Sequence, residues 1–83
     1  MTFEILVEVR LRTGIADPQG ATIERALPAL GFTGVSAVRV GKAIHFTVEA
    51  SDEASARSQA EKMADRLLAN PVIEDAVITV VAR

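Results

Sequence analysis

The chain contains no cysteine, no tryptophan and no tyrosine. Without cysteine there are no disulfide staples, no thiolate metal ligands and no cysteine nucleophile. Three phenylalanines are the only aromatic residues, and none is predicted on an open sheet face, where an RNA-recognition module stacks its bases. No basic block occurs either: nine Lys and Arg stand against eleven Asp and Glu, for a formal charge of −2, which disfavours binding to a phosphate backbone. No apolar run approaches the roughly 20 residues that span a bilayer, and Thr2, Phe3 and Glu4 do not open a secretory signal. The expectation is a cytoplasmic protein that binds neither nucleic acid nor membrane.

What the chain does have is aliphatic surface. It is 49% hydrophobic over 83 residues, and that content is mostly Val, Ile, Leu and Ala. Residues 1–83 read as a single domain, and a domain this short hides only about two-thirds of the surface its unfolded form exposes. A monomer has trouble covering so much apolar area, which predicts a homodimer or higher homo-oligomer, or docking on a larger partner.

The stretch from Asp17 to Lys42 organises the rest. Asp17 can cap a helix and Pro18 fits its first position, where no amide hydrogen is needed. Ile23, Ala26, Leu27 and Leu30 fall on one helical face, and Gly31 supplies a left-handed terminator. Pro28 sits inside that helix at a cost of roughly 3 kcal/mol relative to alanine, which predicts a bend. Gly20 costs up to about 1 kcal/mol in a first turn, so something is expected to pass closely over it, a partner or the adjacent strand.

The remaining pattern is mostly strand. Phe3, Ile5, Val7, Val9 and Leu11 alternate with Glu4, Leu6, Glu8 and Arg10, which predicts a strand with one buried face. Val35 to Val40 predicts a second strand, Gly41-Lys42 a two-residue hairpin turn, and Ala43 to Ala50 the return strand, with Ile44, Phe46 and Val48 inward and His45 outward. Ser51 is taken as the cap of a second helix whose inner stripe is Ala56, Ala60, Met63, Ala64, Leu67 and Leu68, ended by Asn70-Pro71. Ile73 to Ala82 is the last strand. The order βαββαβ predicts an α+β two-layer sandwich of ferredoxin-like type, a four-stranded antiparallel sheet with two helices on one face. The other face is left open, with Leu6, Val77 and Val81 on it.

No constellation of catalytic residues emerges. His45 is a lone outward histidine. Glu74 and Asp75 are neighbours on a strand, so their carboxylates point to opposite faces and cannot readily work as an acid/base pair. The serines lack a nucleophile-elbow context, and Gly31, Gly34 and Gly41 do not have phosphate-loop spacing. Candidate partner-contact residues are Asp17, Gln19, Gly20, Arg39, Lys42 and His45; candidate oligomer contacts are Leu6, Val77 and Val81.

Several motifs together resemble one family: Gly14-Ile15-Ala16-Asp17-Pro18-Gln19-Gly20, Ala26-Leu27 through Leu30-Gly31-Phe32, Val38-Arg39-Val40-Gly41-Lys42, and Asn70-Pro71-Val72-Ile73-Glu74-Asp75. The whole chain resembles the PurS family, the small subunit of phosphoribosylformylglycinamidine (FGAM) synthase. The resemblance implies a non-catalytic bridging subunit between a synthetase subunit, PurL, and a glutaminase subunit, PurQ, in a ligase complex of purine biosynthesis. That complex uses ATP and Mg to convert formylglycinamide ribonucleotide and glutamine to FGAM, and this chain would bind no cofactor or metal itself. Residues alone leave a second reading open, a small-molecule-sensing regulatory module, which a stabilising ligand in a thermal-shift screen would reveal.

Overall fold

The computed structural model describes residues 1–83. In order the elements are β1 (Thr2–Leu11), α1 (Pro18–Ala26), a 3-10 turn (Pro28–Leu30), β2 (Lys42–Glu49), α2 (Glu53–Met63), a π turn (Ala64–Leu68) and β3 (Glu74–Ala82). β1 lies in the middle of the sheet, antiparallel to β2 on one side and to β3 on the other. Its inward residues Phe3, Ile5, Val7 and Val9 are all buried, as the alternation requires.

α2 packs on β1 and β3. Its buried stripe is Ala56, Ala60 and Ala64, small side chains that let the helix lie close to the sheet. These three and the four β1 residues make up the entire buried core, flanked by half-buried Ile44, Phe46 and Val48 of β2 and Ile78 and Val80 of β3. Asp52, not Ser51, caps α2 by accepting from the Ser55 amide at 2.8 Å. The Ala69 amide reaches back five residues to the Ala64 carbonyl at 2.9 Å. This wide turn rotates the helix end, so that Leu68 packs against the core while Leu67 faces out; Met63, in the last turn of α2 before it, is also exposed.

The expected four-stranded sheet is not present: the sheet has three strands. Residues 35–41 form no strand and no hairpin, and Lys42 is the first residue of β2. Gly34 and Ala37 both have positive φ, 81° and 58°, and backbone in that region cannot lie in a continuous strand. The amides that would form the ladder are taken by carboxylates instead. Glu24 accepts from Val38 N at 2.9 Å, and Asp17 accepts from Val40 N at 2.7 Å.

The first helix also departs from expectation. Pro28 ends α1 instead of bending it, because it has no N–H to continue the ladder. The chain goes on as a single 3-10 turn closed by Gly31 at φ 94°. α1 packs on no strand to any extent, so α2 alone covers the sheet's helical face. Ile23 and Leu30, expected in the core, are exposed.

Candidate partner-binding surfaces

Asp17 is the most heavily engaged acid in the chain. Its side chain is 6% exposed, and it accepts from the Gly20 amide at 2.9 Å as the α1 cap and from the Val40 amide at 2.7 Å. The Arg39 guanidinium stands 3.9 Å away. The Gly20 amide chiefly, then the Val40 amide, hold its carboxyl below the ordinary carboxylate range, with a smaller contribution from Arg39 and some opposition from burial. The carboxylate thus fastens the 38–40 segment across the start of α1. Gly20 is buried because of that crossing: a Cβ there would collide with the Val38 carbonyl and the Asp17 carboxyl. The chain's own loop, then, is what passes over Gly20.

The crossing leaves cations at the end of the sheet. Arg39, Lys42 and Arg10 border a groove of about 380 Å³ whose floor includes Val9 and Gly41. Arg10 pairs with Glu8 at 3.4 Å and Arg39 with Asp17, whereas Lys42 is in no ion pair. Gly41 has a packing reason, since a Cβ would stand 2.6 Å from the Val9 carbonyl. Gln19 is exposed beside this groove.

His45 lies elsewhere, on the open face of the sheet. It is the register partner of Leu6, which is opposite Thr79 on its other side. Val77 and Val81 are opposite Glu8 and Glu4, so Leu6, Val77 and Val81 share that face. Val77 is 44% and Val81 53% exposed.

The adjacent acids Glu74 and Asp75 have structural duties. Glu74 accepts from the Asn70 amide at 2.6 Å, and Asp75 pairs with Arg12 at 3.3 Å. No three His, Asp or Glu side chains come together as a metal set, and no helix is long and apolar enough to cross a membrane. The surfaces on offer are therefore a basic groove, an open sheet face and an exposed apolar arm.

Comparison with known proteins gives this arrangement its context. A family model described as "PurS: Phosphoribosylformylglycinamidine (FGAM) synthase" matches residues 4–82. The chain belongs to the PurS family. It is 49% identical over 74 residues to the PurS subunit of Mycobacterium leprae, covering 89% of this chain and 90% of the relative. The crystal structure of Methanocaldococcus jannaschii PurS superposes with a TM-score of 0.87 at 37% identity, covering 98% of both chains. A chain of the PurLQS structure from Thermotoga maritima superposes at 0.89 and 34% identity, covering 98% of this chain and 99% of its own.

Sequence reasoning missed the exposed apolar arm. Ile23, Leu30, Phe32 and Val35 run along it in the open. The available signal was the surplus of aliphatic residues over what a small core can hide.

Proposed function

We propose that this chain is the non-catalytic bridging subunit of an FGAM synthase, a ligase complex of purine biosynthesis that works in the cytoplasm. It supports assembly of a synthetase subunit, PurL, with a glutaminase subunit, PurQ, and the passage of ammonia between them. ATP and Mg act in the synthetase subunit. The observation that carries this reading is the end-to-end match to a chain of the PurLQS complex. The local chemistry supports it, because the Asp17 carboxylate, buried among the Gly20 and Val40 amides, is occupied in holding the fold together.

Within the complex, Gln19, Arg39 and Lys42 at the basic groove are the contact with an acidic surface of the synthetase, and Asp17 and Gly20 hold that groove in shape. His45 contacts a partner from the open face. Leu6, Val77 and Val81 on the same face form a self-association patch. Reconstitution from the three purified subunits tests the reading. Glutamine-dependent formation of FGAM should need all three, and this chain alone should turn over neither glutamine nor ATP. Turnover by the isolated chain, retained through repeated chromatography, would overturn it.

A further inference from the structure

The three-stranded sheet has two edges, β2 and β3, and the chain treats them differently. The Met1 amine donates to the Ala50 carbonyl and the Ala50 amide to the Met1 carbonyl, both at 3.0 Å. In an antiparallel pair such reciprocal bonding recurs at every second residue. Ile44, Phe46 and Val48 therefore bond to β1, while Ala43, His45 and Thr47 turn their amides and carbonyls away from it. The Arg83 amide on the Thr2 carbonyl fixes the same alternation on the other side, where Glu74, Ala76, Ile78 and Val80 turn theirs outward.

The β3 edge is obstructed. Arg57 of α2 donates to the Ile78 carbonyl at 3.0 Å, the Glu74 amide is taken by the Asn70 carbonyl at 2.8 Å, and the Glu74 carbonyl accepts from Arg12 at 3.4 Å. The β2 edge is bare. Nothing in the chain bonds the amides or carbonyls of Ala43, His45 and Thr47. Ala43 to Val48 includes no Pro, Lys, Arg, Asp or Glu, the residues that keep an exposed edge from pairing. The apolar segment 35–40 does not fill the place, because the Glu24 and Asp17 carboxylates hold it against α1.

The chemistry beside the edge defines what fits there. On the helical face Ile44, Phe46 and Val48 are half-buried, so apolar neighbours across a new strand would be favoured. At its start the edge meets the basic groove, where Lys42 is in no ion pair and Arg39 and Arg10 stand close by. At its far end Glu49 is already engaged by the Thr2 hydroxyl and the Met1 amine. The free charge of the edge is thus positive, and it lies at the Lys42 end.

We propose that the synthetase subunit lays an extended segment along the outer edge of β2 as a fourth strand, apolar and polar by turns, with an acidic side chain reaching Lys42 in the groove. Backbone bonds to Ala43, His45 and Thr47 supply affinity, and the groove fixes the register. This deepens the assembly role proposed above and rests on it.

Amide exchange, read residue by residue in the wild-type chain alone and with the purified synthetase subunit added, tests the fourth strand. The Ala43, His45 and Thr47 amides should exchange at least about tenfold more slowly in the complex, while those of Ile44, Phe46 and Val48 are protected in both. Contact through side chains alone does not produce that alternation. Thr47→Pro removes a donor that the chain's own ladder does not use; it should weaken affinity for the synthetase at least about tenfold with circular dichroism unchanged. A complex that forms and makes FGAM, yet leaves Ala43, His45 and Thr47 exchanging as fast as in the free chain, would overturn the fourth strand and leave the assembly role standing. Protection of those three amides already in the chain alone would also overturn it, since the edge would then be filled without the synthetase. A wild-type chain that does not bind the synthetase at all would overturn both.

Discussion

The body and the arm of this molecule are held together by different physics. The body, β1 to β3 with α2, is closed by side-chain packing, and every buried hydrophobic residue lies in it. The arm, residues 12–41, contributes none of them. It is held by carboxylates on backbone amides and by two glycines under carbonyls. A small chain can thus keep a conventional core in one part and, in another, spend its aliphatic residues on surface that waits for a partner. The difference matters for any variant, because a lost methyl group counts in the body and a lost hydrogen bond counts in the arm.

The largest effect should come from the body. Phe3 is 2% exposed in the centre of the core, so Phe3→Ala should lower stability by about 3–5 kcal/mol in urea denaturation. Leu30→Ala in the arm, at a position 71% exposed, should change it by about 0.5 kcal/mol or less in dilute, monomeric protein. Similar costs for the two would mean that the arm is packed as tightly as the body.

Next in size is Gly20→Ala. The added methyl meets a backbone carbonyl, which cannot move aside as a flexible side chain does, and overpacking of this kind costs about 1–3 kcal/mol. The loss should be local. Hydrogen exchange at the Val38 and Val40 amides should quicken, while the β1 amides stay protected; equal loss of protection in both would show that body and arm unfold as one unit.

This division also explains what could be read from the residues alone. The β1 alternation, the Asp17 and Pro18 helix start and Gly31 follow from local rules, and the structure carries them, whereas the phase of the almost continuously apolar β3 is set by its register on β1. Val35 to Val40 misled because β propensity does not register competition from the Asp17 and Glu24 carboxylates, which accept from the Val40 and Val38 amides 23 and 14 residues away. Leu67 misled because helical spacing assumes 3.6 residues per turn, and the π turn breaks that phase one residue early. The α1 stripe is apolar as its spacing predicts but is not core, since periodicity says which face is hydrophobic and not whether the chain itself covers it. Of the site, the family motifs gave the assembly role, while the basic groove depended on a loop crossing that no local pattern encodes.

A third effect should appear in assembly more than in folding. Arg39→Glu with Lys42→Glu reverses two charges at the groove, and if they face an acidic surface the affinity for the synthetase subunit should fall at least tenfold, about 1.4 kcal/mol. Arg39 stands beside Asp17, so Lys42→Glu alone is the cleaner control, with stability expected within about 0.5 kcal/mol of wild type. Unchanged affinity for the double variant would place the contact elsewhere on the chain.

The smallest effect, absent at neutral pH, is the one that most sharply separates the two regions. Asp17 titrates below its ordinary value of 3.8 in the folded chain because the Gly20 and Val40 amides favour its charged form. A carboxyl with a depressed folded pKa contributes stability that is fully present above the unfolded value and is lost as pH falls through the folded one. The arm should therefore be indifferent to pH between 5 and 8 and should loosen only below about 4, where protonation weakens the hold on both amides. The core of the body contains no titratable side chain, so its packing should outlast that change. Amide exchange at Val40 and Val7, followed from pH 6 down to 3 and corrected for the intrinsic pH dependence of exchange, should show Val40 losing protection first. Asp17→Asn, which keeps an acceptor oxygen but no charge, should remove the step at Val40; a step that persists in that variant would assign the acid response to another carboxyl of the arm, with Glu24 on the Val38 amide the one to replace next.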